Sequence, residues 1–356
     1  MRQEAHLQTF DLILKTHSPL FVGGGKCDTK KEYIFDSSKN EVTFLDEGKL
    51  FAYLAEHHLA DEYEGYILRG TSRDLQEFMR SVCKISKADL DAMTKVRINA
   101  ADALDDRHTL KEIHRFVRNG RGEVYVPGSS IKGALRMALL KAQILEDPDS
   151  KTDIHAPFDE IYFHTLNLKK DKFGQRERRN AMNSILQGVR ISDSEPIPDK
   201  HLCLTTKIDE FTDGTYNVIN LCRESIKPGV EIRCSITLDQ SVLKGRITKE
   251  RLLEAIGVAS KHYRETVVDR YEQVASYMNS RTILMGGGVG FQSKTIIGAA
   301  CPERELKLTA AILNDAFPKH NHKVRDPEEG ISPRALKQTE FNHASYLYGV
   351  CEVHIR

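Results

Sequence analysis

IHRFVRNGRGEVYVPGSSIKGALRMALLKAQILED, residues 113–147, carries the densest local signal in the chain. Ile113 to Val117 reads as a strand and Asn119-Gly120-Arg121-Gly122 as a turn. Val124-Tyr125-Val126 reads as a short second strand, and Pro127-Gly128-Ser129-Ser130 leads into a helix carrying Ile131, Leu135, Met137, Ala138, Leu139 and Leu140. Ser129 or Ser130 is placed to cap that helix. A helix start leaves unpaired backbone N–H groups and a partial positive charge. With Gly128 allowing close approach, such a junction suits a phosphate. Lys132 and Arg136 are four apart and share a face. Gly133 costs about 1 kcal/mol against alanine inside a helix, a cost easier to understand if something must reach the backbone there. An ordinary strand-to-helix junction, with its glycine serving packing, gives the same pattern.

A second glycine cluster, Gly286-Gly287-Gly288-Val289-Gly290, follows a strand-like 281–285. Successive N–H groups in such a loop form an anion-binding nest. Residues 288–295 resemble a phosphate-binding GxxxxGK[ST] loop, but Ser293 stands where the last glycine belongs, and no apolar strand ending in a magnesium-binding aspartate follows Lys294. Nucleotide hydrolysis is set aside. Val22-Gly23-Gly24-Gly25-Lys26 forms a third glycine-rich segment, read as a loop after the strand 7–16.

Further elements are legible between these markers. Residues 32–35 and 42–45 form a hairpin, Asp46 caps a helix with Leu50, Phe51 and Leu54 on one face, and helices follow Ser72 and Ser86. Strands are expected at 190–194, 201–207, 216–226, 230–238 and 351–355. Helices are expected from Thr248 to about Ser276 and over 308–316, with a polar loop through Pro333. A transition near 190 divides the chain into 1–190 and 191–356.

The 356 residues are 40% hydrophobic and 29% charged, an ordinary globular composition and about two domains' worth of chain. The N-terminus lacks an apolar signal core and no apolar run approaches a membrane span, so a cytoplasmic chain without membrane contact is expected. The cysteines number seven, an odd count without a CxxC pair, which fits a reducing compartment. Net charge is +1, from 52 basic and 51 acidic side chains. Indiscriminate nucleic-acid coating needs a far more basic chain, so any such binding must use a local groove. Residues 169–179 hold six basic and two acidic side chains, a flexible basic finger or simply a solvated loop. Acidic residues gather at Asp61-Glu62-Tyr63-Glu64 and at Asp102, Asp105 and Asp106.

No metal or catalytic motif stands out. HExxH and GxSxG are absent, and His57-His58 and His320-Asn321-His322 lie among polar residues. His17, after the first strand, could serve as a general base, and Asp28 could bind a metal. They define the competing reading, a metal- or histidine-dependent endoribonuclease.

Tyr125-Val126-Pro127-Gly128-Ser129-Ser130-Ile131-Lys132-Gly133-Ala134-Leu135-Arg136 resembles the signature of the RAMP superfamily, the RNA-binding proteins of CRISPR systems, and Gly286 to Gly290 resembles its C-terminal glycine-rich loop. Val22-Gly23-Gly24-Gly25 with Lys31-Glu32-Tyr33-Ile34, Val189-Arg190-Ile191-Ser192-Asp193-Ser194, and Arg223-Glu224-Ser225-Ile226-Lys227-Pro228 are similar to the family of fifth subunits of the type III-A Csm effector complex. The resemblance implies an α+β fold with two ferredoxin-like (RRM-like) βαββαβ domains carrying helical and loop insertions, their glycine loops facing a shared groove. It implies a non-catalytic subunit, without cofactor or metal, that caps the filament on the 3′ region of the CRISPR RNA and supports guide maturation and assembly in antiviral defence. Its neighbours would be the backbone RAMP subunit and the small helical subunit, with target RNA a further candidate partner. The RNA-binding residues would be Gly128, Ser129, Ser130, Lys132, Gly133, Arg136, Gly286, Gly287, Gly288, Gly290 and Lys294. Arg190 and Arg223 join them unless they pair with Asp193 and Glu224. Gly23, Gly24, Gly25 and Lys26 form a second rank, and Tyr125 or Phe291 could stack a base.

Overall fold

The computed structural model describes residues 6–68, 74–104, 110, 112–147, 157–271 and 278–356. Asp105 and Asp106 lie outside them. Three sheets organise the chain.

The first sheet grows from β1 (Leu7–Thr16), whose Leu12 and Leu14 are fully buried. Burying such a side chain stabilises by about 1.5–3 kcal/mol. β1 pairs on one side with β10 (Glu231–Asp239), Leu12 opposite Cys234, and on the other with β14 (Val350–Ile355), Leu14 opposite Val353. β7 (Val189–Ile191) and β11 (Thr282–Leu284) close the two edges, and every neighbouring pair is antiparallel. Two helices cover this sheet. α5 (Gly128–Glu146) buries Ile131, Leu135, Ala138, Leu139 and Ala142, a spacing of three and four. α8 (Lys249–Thr266) is capped by Thr248, which accepts from the Arg251 N–H, and buries Leu252, Ala255, Ile256 and Tyr263 against α5. In chain order β1-α5-β7-β10-α8-β14, with sheet order β14-β1-β10-β7, this is a ferredoxin-like βαββαβ arrangement, and β11 is an added edge strand.

The second sheet has six strands in the order β13 (Ala344–Leu347), β12 (Ala335–Phe341), β8 (Leu202–Phe211), β9 (Tyr216–Ile226), β6 (Ile113–Phe116) and β2 (Gly23–Asp28). Its β6–β9 pair is parallel, so it does not repeat the ferredoxin-like order. A division at 190/191 runs through both of these sheets, because β1 and β6 pair with strands after it.

The third sheet, β3 (Tyr33–Asp36), β4 (Glu41–Leu45) and β5 (Thr94–Asn99), is an insertion between β2 and β6. It carries α1 (Glu47–Glu56), α2 (Ala60–Leu68), α3 (Leu75–Ser81) and α4 (Lys87–Met93) over its own core of Leu50, Leu54, Leu75, Phe78 and Met79. The caps at Asp46 and Ser86 form as expected, accepting from the N–H groups of Lys49 and Asp89. Short helices α6 (Phe158–Tyr162), α7 (Gln240–Leu243) and α9 (Ile297–Ala300), with α10 (Glu305–Ala316) and α11 (His322–Glu329), complete the order.

Several expectations change. Gly23 to Lys26 belong to a strand rather than a loop: Gly23 stands opposite Phe116 of β6, and the register shifts before Cys27 meets His114. Val124 makes only isolated bridges, to Arg118 and Ile197. Phe51 is 55% exposed, since only Leu50 and Leu54 reach the α1 core. The helix begun at Thr248 stops at Thr266, and residues 272–277 of its expected extension lie outside the described ones. The supposed polar loop before Pro333 holds α11, tied down by buried Asp326, which accepts from His322, Ser332 and Arg334. No helix among the described residues is long and apolar enough to cross a membrane.

Candidate nucleic-acid interface

The three glycine-rich segments meet because β1, β11 and α5 present the same end. Chain leaving β1 runs through Leu20, Phe21 and Val22 into β2, and chain leaving β11 enters the 286–290 loop. Gly287 donates its N–H to the Phe21 carbonyl at 2.7 Å. Gly286 has φ +85, and a side chain there would collide with that same carbonyl. Between these segments and the first turns of α5 lies a groove of about 400 Å³, lined by Gly23, Ser130, Gly133, Gly286, Gly287 and Lys294.

At the α5 start the anchoring differs from expectation. Neither Ser129 nor Ser130 caps the helix; the N-cap position is Pro127. Gly128 instead donates its N–H to the Asp193 carboxylate at 2.8 Å. A β-carbon at 128 would sit 2.7 Å from the Ser192 carbonyl oxygen. Gly128 is therefore a packing glycine with an occupied amide, as Gly287 is, and neither N–H is left for a phosphate. Gly133 is the opposite case: it is exposed, and a β-carbon there would meet nothing within 4 Å.

The expected cations separate into two groups. Lys132 donates to the Leu186 carbonyl at 2.8 Å, and burial lowers its pKa. Arg136 pairs with Asp159. Arg190 pairs with Asp239 at 2.9 Å, not with Asp193. Lys26 pairs with Glu47 at 2.8 Å, which raises its pKa. These four are engaged inside the chain. Arg223 is not paired with Glu224. Neighbouring strand residues point to opposite faces, and Glu224 is taken from the other side by Arg115 and Arg118 at 3.0 and 2.7 Å, which hold its pKa down against burial. The Arg223 guanidinium lies 5.3 Å from the ring centres of both Phe21 and Tyr348. Its Nη1 is buried without a hydrogen-bond partner, 2.6 Å from where a Gly288 side chain would begin. Lys294 is exposed at the groove, its pKa lowered by desolvation and then by Arg223. A buried cationic N–H without an acceptor costs free energy until an anion supplies one.

Lys141 was missed by sequence reading, since it sits among the apolar residues of α5. Deeply buried, it donates to the Gln292 and Ser293 carbonyls at 2.9 and 3.4 Å and so ties the end of the glycine loop to α5. Burial pushes its pKa down to about 8, with Glu305 opposing. The phosphate-loop likeness at 288–295 does not extend to structure: Gln292–Lys294 is a 3-10 turn followed by the four-residue α9.

A larger cavity of about 730 Å³ lies between the inserted domain and β2-β6, lined by Lys26, Asp28, Phe51, Tyr63, Lys95 and Arg115. Its central charges neutralise one another: Asp28 pairs with Arg115, and Lys26 with Glu47 and Asp28. Asp28 is thus committed to Arg115 rather than to a metal. His17 bonds the Glu352 carboxylate at 2.7 Å. The 169–179 segment is a small hairpin bridged at Lys170 and Arg176, with Phe173 75% exposed at its tip. Tyr125 and Phe291 are half-buried. Among the described residues, two clusters could hold a metal ion: Cys27, Glu112 and His114, and Asp102, Glu340 and His343. In the second, Asp102 already accepts the N–H groups of Asn342 and His343.

The RAMP superfamily model matches residues 13–325. The CRISPR system Cms protein Csm5 of Mycobacterium tuberculosis (strain ATCC 25618 / H37Rv) is 26% identical over 381 residues, covering 99% of this chain and 98% of that protein. Csm5 of Streptococcus thermophilus is 24% identical over 306 residues, covering 82% of this chain and 81% of its own. Among solved structures, a chain of a Csm–crRNA–target RNA ternary complex of a type III-A CRISPR-Cas system superposes with a TM-score of 0.70 at 17% identity, over 97% of this chain and 100% of that one. The crystal structure of T. onnurineus Csm5 gives 0.60 at 16% identity, over 96% and 99%.

Proposed function

The chain belongs to the RAMP superfamily, and on that premise we propose that it acts as the Csm5-type subunit of a type III-A CRISPR effector, holding the 3′ region of the guide RNA at one end of the filament without cleaving it. The full-length similarity to Csm5 proteins and the fold shared with a Csm–crRNA–target RNA complex support this reading. The observation that carries it is the convergence of Gly23, Ser130, Gly133, Gly286 and Lys294 on one groove, with the Arg223 guanidinium packed against Phe21 and Gly288 of the segments that form it. The groove offers cations and close backbone approach, which suit ribose-phosphate, so one subunit can hold guides of any sequence. Backbone-type and small helical Csm subunits are its partners in this reading. Guide maturation enters through protection or presentation of the 3′ end, and the basic hairpin 169–179 reaches toward the guide or target strand.

Filter binding of the purified chain to single-stranded RNAs of unrelated sequence tests this. Comparable affinities that fall together with rising salt are expected. Strong preference for one sequence, or cleavage of the labelled RNA that Glu352→Gln or His17→Ala abolishes, rejects it in favour of the endoribonuclease reading.

A further inference from the structure

Cys27 and His114 stand directly opposite each other in the antiparallel β2–β6 pair. Cross-strand partners project from the same face of a sheet, and so do residues two apart on one strand. Glu112, one residue before β6, therefore joins His114 on that face, while Ile113 and Arg115 turn inward and are buried. The three ligand atoms lie within 4.8 Å of one another, with Cys27 Sγ 3.8 Å from Glu112 Oε2. Cys27 and His114 are half-buried and Glu112 is exposed, so the site opens to solvent on one side.

We propose that Cys27, Glu112 and His114 bind a zinc-class divalent transition ion, a site that the RNA-holding reading does not require. The donor set favours this ion over magnesium or calcium: a thiolate and an imidazole are borderline-to-soft ligands, and hard cations take oxygen. Three protein ligands leave one tetrahedral position for water or an anion. In a tetrahedron with metal–ligand bonds of about 2.0–2.3 Å, donors sit roughly 3.5 Å apart, which small side-chain rotations reach from the present spacing. Thiolate and carboxylate together cancel the charge of the ion. That matters because His114 is in turn the parallel-strand partner of Arg223, and an uncompensated dication in this row would oppose the guanidinium.

The fold gives such an ion work to do. β2 is an edge strand with glycine at 23, 24 and 25, and its pairing to β6 is interrupted between Gly23 and Cys27. Glycines leave a strand weakly specified. A metal bridge from Cys27 to His114 fixes the strand immediately after the three glycines, and so fixes Gly23 at the groove.

Cobalt(II) titration of the chelator-treated full chain, followed by absorption, tests the site without any RNA. One equivalent should bind with a thiolate-to-cobalt charge-transfer band, displaced by zinc. Cys27→Ser should remove the band, and His114→Ala should weaken zinc binding at least tenfold by calorimetry, while Asp102→Asn leaves both unchanged. Circular dichroism verifies that each variant is folded; if His114→Ala is not, Cys27→Ser decides. Absence of stoichiometric binding, or a band that survives Cys27→Ser, overturns the proposal and leaves the RNA reading untouched.

Discussion

Gly128 and Asp193 lock the first turn of α5 to the end of β7: the glycine donates its backbone N–H to the aspartate carboxylate at 2.8 Å. The same glycine packs against the carbonyls of Ile191 and Ser192. Two segments 65 residues apart thus form one joint. Gly128→Ala should destabilise by about 2–3 kcal/mol through overpacking against backbone. Asp193→Ala should cost about 1 kcal/mol, the usual worth of a helix cap. Urea denaturation of the double variant should show less than the sum, because both changes open the same joint.

Among the described residues, Lys294 at the groove and Arg223, held against Phe21 and Gly288 beside it, have no carboxylate partner, whereas Lys132 and Arg136 are engaged with Leu186 and Asp159. Arg223→Ala should weaken single-stranded RNA binding by roughly tenfold or more, the scale of one charge-assisted hydrogen bond. Its melting temperature should hold or rise, since an unpaired buried guanidinium is removed. Lys294→Ala should lower affinity and flatten the salt dependence. Lys132→Ala and Arg136→Ala should act mainly on stability. Filter binding and thermal melts on the four variants check the division, and equal affinity losses throughout would refute it.

Lys141 supplies a pH signature. Its pKa is about 8 folded against 10.5 for a free lysine. Between those values the unfolded chain binds more protons than the folded one, so this residue's contribution to stability rises with pH. Below pH 8 the full burial penalty is present, and above 10.5 it is gone. Relative to Lys141→Met, the wild-type chain should gain on the order of 3 kcal/mol across that window. Comparing both proteins at each pH by urea denaturation cancels the buried thiols and tyrosines. A constant difference would show that Lys141 does not titrate there.

Local signals in the sequence locate most elements here, because caps and alternation are encoded within a few residues: Asp46 and Ser86 cap as read, the helix after Thr248 starts where expected, and β9 and β10 fall where expected. The partners of those elements are not encoded locally. β1 finds β10 and β14 across more than 200 residues, so its sheet membership is invisible from its own pattern. The glycine motifs were legible as a set, but their division into packing and open positions was not, since Gly128 and Gly133 differ only in what the folded chain brings against them. The independence of Arg223 from Glu224 was within reach, because adjacent strand residues face opposite ways. The Cys27–Glu112–His114 cluster was not, for Cys27 lies 85 residues from Glu112 in the chain until β2 meets β6.

Gly133 separates stability from function most sharply. It sits in the second turn of α5 with open space where a side chain would go, and it faces the groove. For folding alone alanine is the better residue, and Gly133→Ala should raise stability by about 0.5–1 kcal/mol. If a phosphate backbone must come against the helix here, the added methyl occupies its path. RNA affinity should then fall several-fold in the variant with the higher melting temperature, and Gly133→Val should bind more weakly still. A glycine retained only for packing cannot produce this pair of changes, because packing at 133 has no neighbour to lose. Thermal melts and filter binding on the same preparations decide, and an alanine variant that is both more stable and equally tight would remove α5 from the RNA path.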